Sequence, residues 1–244
     1  MTESFLGTVV QKVIAQNLDW AKLCFVLPNR RSQLFLQKEI ACLVKGPLIL
    51  PQVYSIEKFV VSISTKTPAN ELQQQQALYE SYCKELENKM EQNNFEDFLG
   101  WSTPLLRDLN LVDQFLLERK GFFHYLSSLH QIREWGQSQD KIILNYKKFW
   151  QLLPQIYIGF IQRLEEKGHT TMGMCYRMAA DFLETYLQQK ADTNFIFCGF
   201  NALSPSESQI ICEMLAQERA QVFWDIDKKA LNDDIHLSSK FIRE

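Results

Sequence analysis

Two kinds of hydrophobic pattern alternate along the chain. Short, nearly continuous apolar runs occupy 22–27, 49–54, 195–199 and 221–225, and such runs are typical of strands buried on both faces of a parallel sheet. Between the second and third runs, apolar residues recur instead three or four positions apart, which is the spacing of one helix face. We therefore expect a parallel α/β sheet interrupted by a long block of helices.

Capping residues predict the helices that follow the first two strands. Asn29 is placed to cap a helix that reaches about Val44, and Gly46 with Pro47 is the expected stop. A second, shorter helix is expected at 56–62. Each strand is thus expected to lead directly into a helix.

The middle block is predicted to be entirely helical. Its first helix should begin at a variant capping box made by Asn70 and Gln73. Pro104 is expected to bend or break the next helical stretch, and Pro154 to break the one after it. A last helix is expected at 171–189.

These elements predict two domains. The 244 residues, of which 46% are hydrophobic, are enough to bury a substantial core. We expect a discontinuous α/β lobe formed by 1–69 and 191–244, with an all-helical accessory domain at 70–190 inserted into it.

Charge and cysteine content restrict the possible partners and compartments. The net charge of −3 provides no overall basic field, so any contact with DNA must be local. The six cysteines include no Cys-x-x-Cys pair and are interpreted as reduced, structural thiols, which favours a cytoplasmic protein. No apolar run approaches the roughly 20 residues of a membrane span, so no membrane association is expected.

The sequence shows no site for nucleotide hydrolysis, metal binding or nucleophilic catalysis. A phosphate-binding loop needs two glycines, a lysine and a hydroxyl at fixed spacing, and the one Lys-Thr pair, Lys66-Thr67, has no glycine near it. The histidines lack metal-ligand spacing. Asp225 and Asp227 are interpreted as an ordinary strand exit. We expect no catalytic residue, no cofactor and no metal.

The strongest local signal is Asn29-Arg30-Arg31. Two arginines in the first turn of a helix oppose the positive end of its dipole, at a cost of a few tenths of a kcal/mol each. An anion docked there would explain them, because a phosphate would receive both helix N-terminal amides and guanidinium hydrogen bonds, independently of base sequence. The alternative is a solvated or salt-bridged helix start.

Four segments in order resemble the N-terminal part of AddB-type proteins, which are inactivated superfamily I helicases that continue into a PD-(D/E)XK nuclease domain. They begin with Val-Leu-Pro-Asn-Arg-Arg, Leu-Pro-Gln-Val-Tyr-Ser, Phe-Cys-Gly-Phe-Asn-Ala and Val-Phe-Trp-Asp-Ile-Asp, and they occupy 26–38, 50–59, 197–207 and 222–227. The resemblance covers nearly the whole chain. It implies a RecA-like lobe that lacks the phosphate loop.

The resemblance also implies roles for individual residues. The stretch 25–31 corresponds to helicase motif Ia and 52–59 to motif Ib, both of which touch the DNA strand in active relatives. Asn29, Arg30, Arg31 and Ser55 are accordingly the implied DNA-binding residues.

The catalytic acids of the family's active relatives are replaced in this chain. Cys198 and Gly199 stand where those relatives carry the metal-binding and water-activating acids. Lys228 stands where they carry a glutamine that senses the γ-phosphate. ATP hydrolysis is therefore not expected.

The resemblance implies a role in DNA double-strand-break repair and recombination, with this chain expected to be a fragment of a longer protein. The lobe would scaffold the complex and hold DNA, an AddA-like or UvrD-like helicase-nuclease subunit would hydrolyse ATP, and a C-terminal nuclease domain would cleave. The alternative is a protein-interaction scaffold that docks the partner motor without touching DNA. Salt-dependent DNA binding would separate the two.

Overall fold

The computed structural model describes residues 4–86, 94–133 and 141–226, with side chains described except at 129–133 and 141–147. Within these residues the strands are β1 Leu23–Leu27, β2 Gln52–Ser55, β3 Thr67–Pro68, β4 His169–Thr170, β5 Asn194–Cys198 and β6 Ala220–Phe223. The α-helices are α1 Phe5–Ala15, α2 Arg30–Leu43, α3 Ile56–Ser64, α4 Glu71–Leu86, α5 Phe95–Gln114, α6 Arg119–Arg133, α7 Lys141–Glu166, α8 Met172–Asp181, α9 Leu183–Gln189 and α10 Pro205–Ala216.

The chain divides into two compact units. The first comprises the described parts of Met1–Ser64 and Met178–Glu244, and the second comprises those of Thr65–Arg177. The sequence pattern placed the two borders after residues 69 and 190. Helix α9 belongs to the first unit because the Tyr186 ring packs edge-on against Phe59 at 5.9 Å, beside the sheet.

The first unit is built on a four-stranded parallel sheet with strand order β2-β1-β5-β6. Val26 of β1 lies between Tyr54 of β2 and Phe197 of β5 in the register. All four strands predicted from the sequence are present and parallel, so the expected α/β sheet is confirmed.

Helices cover both faces of this sheet, which explains why the central strands β1 and β5 are almost entirely apolar and buried. Because side chains alternate between faces, Phe25 and Ile196 join a core cluster with α1 and α2, whereas Phe195 and Phe197 lie on the opposite face. There Phe59 of α3 contacts both rings, with centroids 5.7 and 5.8 Å away. Strand β1 is consequently buried at every position.

The second unit consists of helices joined by one short strand pair. The predicted capping box is confirmed, because Asn70 and Gln73 exchange hydrogen bonds from backbone N–H to side-chain oxygen, each 2.9 Å long. Strand β3 pairs in parallel with β4, through Thr67 beside His169. This pair was not predicted.

The predicted break at Pro154 is wrong, and of the two alternatives predicted at Pro104, a bend or a break, the break does not occur. Helix α5 continues through Pro104 and helix α7 continues through Pro154. A proline inside a helix costs about 3 kcal/mol, but Leu153 and Tyr157 are 2% exposed on either side of Pro154. Burial of each such side chain stabilises by roughly 1.5–3 kcal/mol, so packing outweighs the local defect.

Two other helical features differ from the expectation. Helix α1 was not predicted, although Val9, Val10 and Val13 form its buried face. The single helix expected at 171–189 is divided at Phe182, whose ψ of 7° departs from helical geometry. Among the described helices, none combines the length and the apolar character needed to cross a lipid bilayer.

Candidate functional site

The candidate site lies at the carboxyl ends of the parallel strands. Strand β2, which follows β1 in sequence, lies on the side of β1 away from β5, whereas β6, which follows β5, lies on the side of β5 away from β1. The direction in which the chain adds successive strands to the sheet therefore reverses between β1 and β5. In open α/β sheets, ligands bind outside the carboxyl ends of the strands at such a reversal point.

A cleft of about 320 Å³ is present at this reversal point. Its walls come from the ends of β1 and β5, from α2 and from the first turn of α1. The lining residues are Ser4, Phe5, Leu6, Leu27, Pro28, Ser32, Phe35, Glu39, Cys198, Gly199 and Asp225. The cleft thus brings together Cys198, Gly199 and Asp225, which the sequence had singled out separately.

Neither Cys198 nor Gly199 carries a carboxylate. Cys198 is fully buried, and burial raises the pKa of its thiol to about 12, so in the folded chain this thiol is protonated at neutral pH. Gly199 has φ of +79°, a conformation that favours glycine. Its backbone passes close to Phe5, whose ring would lie 3.7 Å from a Cβ added at Gly199.

The start of α1 occupies one wall of the cleft. Ser4 Oγ accepts a hydrogen bond from the Gly7 backbone N–H at 3.0 Å and donates one to Glu39 of α2 at 2.7 Å. Glu39 is therefore engaged by the cap of α1. Across the parts of the chain that the structure describes, no group of three or more His, Cys, Asp and Glu residues could hold a metal ion.

The start of α2 presents two exposed cations. Asn29 caps this helix as predicted, with Oδ1 accepting from the Ser32 N–H at 2.9 Å. Arg30 and Arg31 follow in the first turn, and both are exposed. Within the described residues neither arginine has a carboxylate within 4.0 Å, while the Arg31 guanidinium carbon lies 5.9 Å from the centre of the Phe35 ring.

Ser55 lies beside this turn but is not exposed. It pairs with Leu27 in the register of the sheet, and only 1% of its surface is accessible. Its Oγ lies 3.5 Å from the Lys58 backbone nitrogen, at the start of α3. The structure therefore brings Asn29, Arg30 and Arg31 together at the surface and places the Ser55 hydroxyl inside.

Sequence reasoning missed the contribution of α1 to this cleft. Ser4, Phe5 and Glu39 were not among the candidate residues, because no helix was expected before β1. The signal was present in Leu6, Val9, Val10 and Val13, which recur at helical spacing. Asp227 and Lys228 lie outside the described residues.

No protein-family model matches the chain, and no curated protein matches it in sequence. The exposed arginine pair at the carboxyl edge of the sheet is therefore the feature from which a function can be argued.

Proposed function

We propose that this chain is the inactivated, RecA-like lobe of an AddB-type subunit, carrying a helical accessory insertion, and that it holds DNA by its backbone during double-strand-break repair and recombination. Support comes from the four segments similar to that family. Each one begins in or next to a strand of the sheet and runs past its carboxyl end. Motif Ia, motif Ib and the degenerate motifs would then share one edge.

The observation that carries this proposal is the exposure of Arg30 and Arg31 without a carboxylate partner among the described residues. Placing two cations at the positive end of a helix is unfavourable unless an anion compensates them. The helix is capped by the Asn29 side chain, which bonds to the Ser32 N–H and not to either guanidinium group. A backbone phosphate would receive charge-assisted hydrogen bonds from both arginines. Such contacts position DNA without reading its sequence.

The same edge is unsuited to ATP hydrolysis. A metal-bound triphosphate needs acidic side chains for its magnesium and a lysine loop for its phosphates. This lobe has a buried neutral thiol at Cys198 and a glycine at Gly199. ATP hydrolysis is assigned in this proposal to an AddA-like or UvrD-like partner subunit.

Fluorescence anisotropy with a labelled single strand and the matching duplex tests DNA binding. The parent should bind both with a Kd near ~10⁻⁴ to 10⁻⁶ M and lose affinity steeply with salt. Arg30→Ala with Arg31→Ala should weaken binding to all sequences alike. It should also flatten the slope of log affinity against log salt by up to about one per lost phosphate contact.

The matched control removes the same charge elsewhere, through Arg107→Ala with Lys148→Ala, two exposed positions of the second unit. This control should leave both titrations close to those of the parent. Titrations of the double arginine variant that overlay those of the parent would leave the arginines as a solvated helix start.

A protein-docking function is favoured by one separate observation. Leu34 and Phe35, about one helical turn after the arginines, are 68% and 52% exposed. Exposed apolar residues with arginines beside them are typical of protein interfaces. If docking alone is the function, Leu34→Ser should weaken association with the partner motor while DNA titrations show no binding by the parent.

A further inference from the structure

A buried carboxylate in the second unit is shared by two arginines. Asp113, near the end of α5, is 1% exposed. Its Oδ1 accepts from Arg119 Nε at 3.0 Å, Arg119 Nη2 at 2.8 Å and Arg177 Nε at 3.1 Å. Its Oδ2 accepts from the Tyr157 hydroxyl at 2.5 Å. One negative charge thus faces two positive ones.

Two acids, Glu118 and Glu165, line the same cleft as the two arginines, but among the described residues neither forms an ion pair with them. Glu118 accepts hydrogen bonds from the backbone N–H groups of Gly121 and Lys120, at 2.5 and 3.0 Å, and these bonds lower the pKa of its carboxyl. Within the described part of the chain, neither Glu118 nor Glu165 lies within 4.0 Å of an arginine nitrogen.

Both guanidinium groups retain unused donors in a partly desolvated place. Arg177 Nη2 donates to the carbonyl oxygens of Leu117 and Val112, at 2.8 and 3.2 Å. Neither Nη1 atom has an acceptor among the described residues. The arginine side chains are only 34% and 20% exposed, and a cation that is partly withdrawn from water gains from further acceptors.

The two arginines line a cleft of about 570 Å³ that combines apolar and charged side chains. Its apolar side includes Phe123, Tyr157, Ile158 and Ile161, and the other polar lining residues are Glu118, Lys120, Gln162 and Glu165. The Arg119 guanidinium carbon lies 5.3 Å from the centre of the Tyr157 ring, so the charge sits directly against the apolar surface. The volume is in the range of small-ligand sites, about 300–1,000 Å³.

We propose that this cleft binds a small organic anion with a flat apolar body and one carboxylate or phosphate group. The anionic group contacts Arg119 and Arg177 and compensates the charge that Asp113 leaves over. The apolar body lies against Phe123 and Ile158. All of these residues belong to the second unit, and the proposal does not depend on DNA binding.

Two dyes with the same aromatic body test the site. The anionic probe is 8-anilinonaphthalene-1-sulfonate, and the neutral probe is N-phenyl-1-naphthylamine, which lacks the sulfonate. Both are titrated by fluorescence into the intact chain. Arg119→Gln should lower the affinity for the anionic dye about tenfold, since it removes a charge-assisted contact, and should leave the affinity for the neutral dye nearly unchanged.

A second variant keeps the test valid if Arg119→Gln does not fold. Ile158 is 55% exposed, and its side chain has no polar atom that could take part in the bonds to Asp113, so Ile158→Glu adds a negative charge without removing any of those bonds. This variant should lower the affinity for the anionic dye at least tenfold more than the affinity for the neutral dye. The matched control is Leu111→Glu, 42% exposed in a separate apolar cleft of the same unit, which should affect the two dyes equally.

Competition identifies the anionic group. Displacement of the sulfonate dye by 1-naphthyl phosphate in preference to 1-naphthoate indicates a phosphate ligand, and the reverse order indicates a carboxylate. Failure of both competitors to displace the dye would overturn the proposal. The proposal would also be overturned if Ile158→Glu lowered the affinities for the two dyes equally, or lowered neither.

Discussion

At the scale of single residues, the end of β5 is adapted to packing instead of chemistry. Cys198 is fully buried and behaves there as a small hydrophobic side chain. An aspartate at that position would place a carboxylate where no water reaches it, and an unpaired buried charge is costly. Gly199 adopts φ of +79°, which a glutamate adopts only with strain. Both residues therefore suit the packing at the end of β5 better than acidic side chains would.

The first residue-level prediction concerns ATP. Because Cys198 stays protonated at neutral pH and the sequence has no lysine loop, we expect no combined set of ligands for the magnesium and the triphosphate of ATP at the end of β5. Isothermal titration calorimetry with ATP and magnesium should show no heat of binding. A micromolar dissociation constant would contradict both this expectation and the inactivated-lobe proposal.

The second residue-level prediction concerns stability at alkaline pH. Burial raises the pKa of the Cys24 and Cys198 thiols from 9.0 to about 12 in the folded chain. Between these values the unfolded chain releases protons that the folded chain retains. The stability contributed by the two protonated thiols is therefore fully present below pH 9 and is lost as the pH rises towards 12. Each thiol should lower the free energy of unfolding by up to about 1.4 kcal/mol per pH unit in that window.

Urea denaturation at several alkaline pH values measures this effect. Cys198→Ala should make the free energy of unfolding less steeply dependent on pH, because one buried thiol is removed. Cys42→Ala is the matched control, since Cys42 is exposed, and it should leave the dependence unchanged. Equal slopes in all three proteins would rule out the Cys198 thiol as a contributor to this pH dependence.

At the scale of secondary structure, elements specified by local sequence could be predicted, and elements specified by distant contacts could not. Strand β1 and the cap at Asn29 follow from adjacent residues, and both are present. Strand β3 spans two residues and exists through its pairing with β4, about a hundred positions away. No local pattern signals such a strand. The helices through Pro104 and Pro154 persist because burial of flanking residues overrides local propensity.

The element-level prediction tests the cost of Pro104 inside α5. Pro104 is exposed, so Pro104→Ala removes little packing while it restores a backbone N–H to the helix. The free energy of unfolding should rise by about 1 to 3 kcal/mol. Urea denaturation measures the difference.

Arg107→Ala provides the control on the same helix. This residue is also exposed, and both side chains favour helices, so stability should change by less than about 0.5 kcal/mol. Unchanged or lower stability of Pro104→Ala would mean that α5 has adapted its geometry to the proline.

At the scale of the whole molecule, the two candidate sites differ in how far the sequence specifies them. Asn29, Arg30 and Arg31 are adjacent in the chain, so their place at a helix start could be predicted. The contacts of Asp113 come from Arg119 and Arg177, up to 64 positions away, and only folding brings them together. One signal was available, because Asp113 falls at a buried position of an otherwise apolar helix stripe.

The topology of the first unit leads to the last prediction. Strand β1 pairs with β5 through Leu23 to Val26, so a break after residue 190 separates two central strands of one sheet. Residues 1–190 would then expose the apolar edge of β1, and 191–244 would retain β5 and β6 without the rest of the sheet. Neither piece should fold by itself, because the lobe is discontinuous in sequence. Circular dichroism during urea denaturation should show no cooperative transition for either piece. The matched control is the full chain with a protease site inserted after residue 190 and left uncut, which should unfold cooperatively like the parent. A stable, cooperatively unfolding 1–190 piece would contradict the topology.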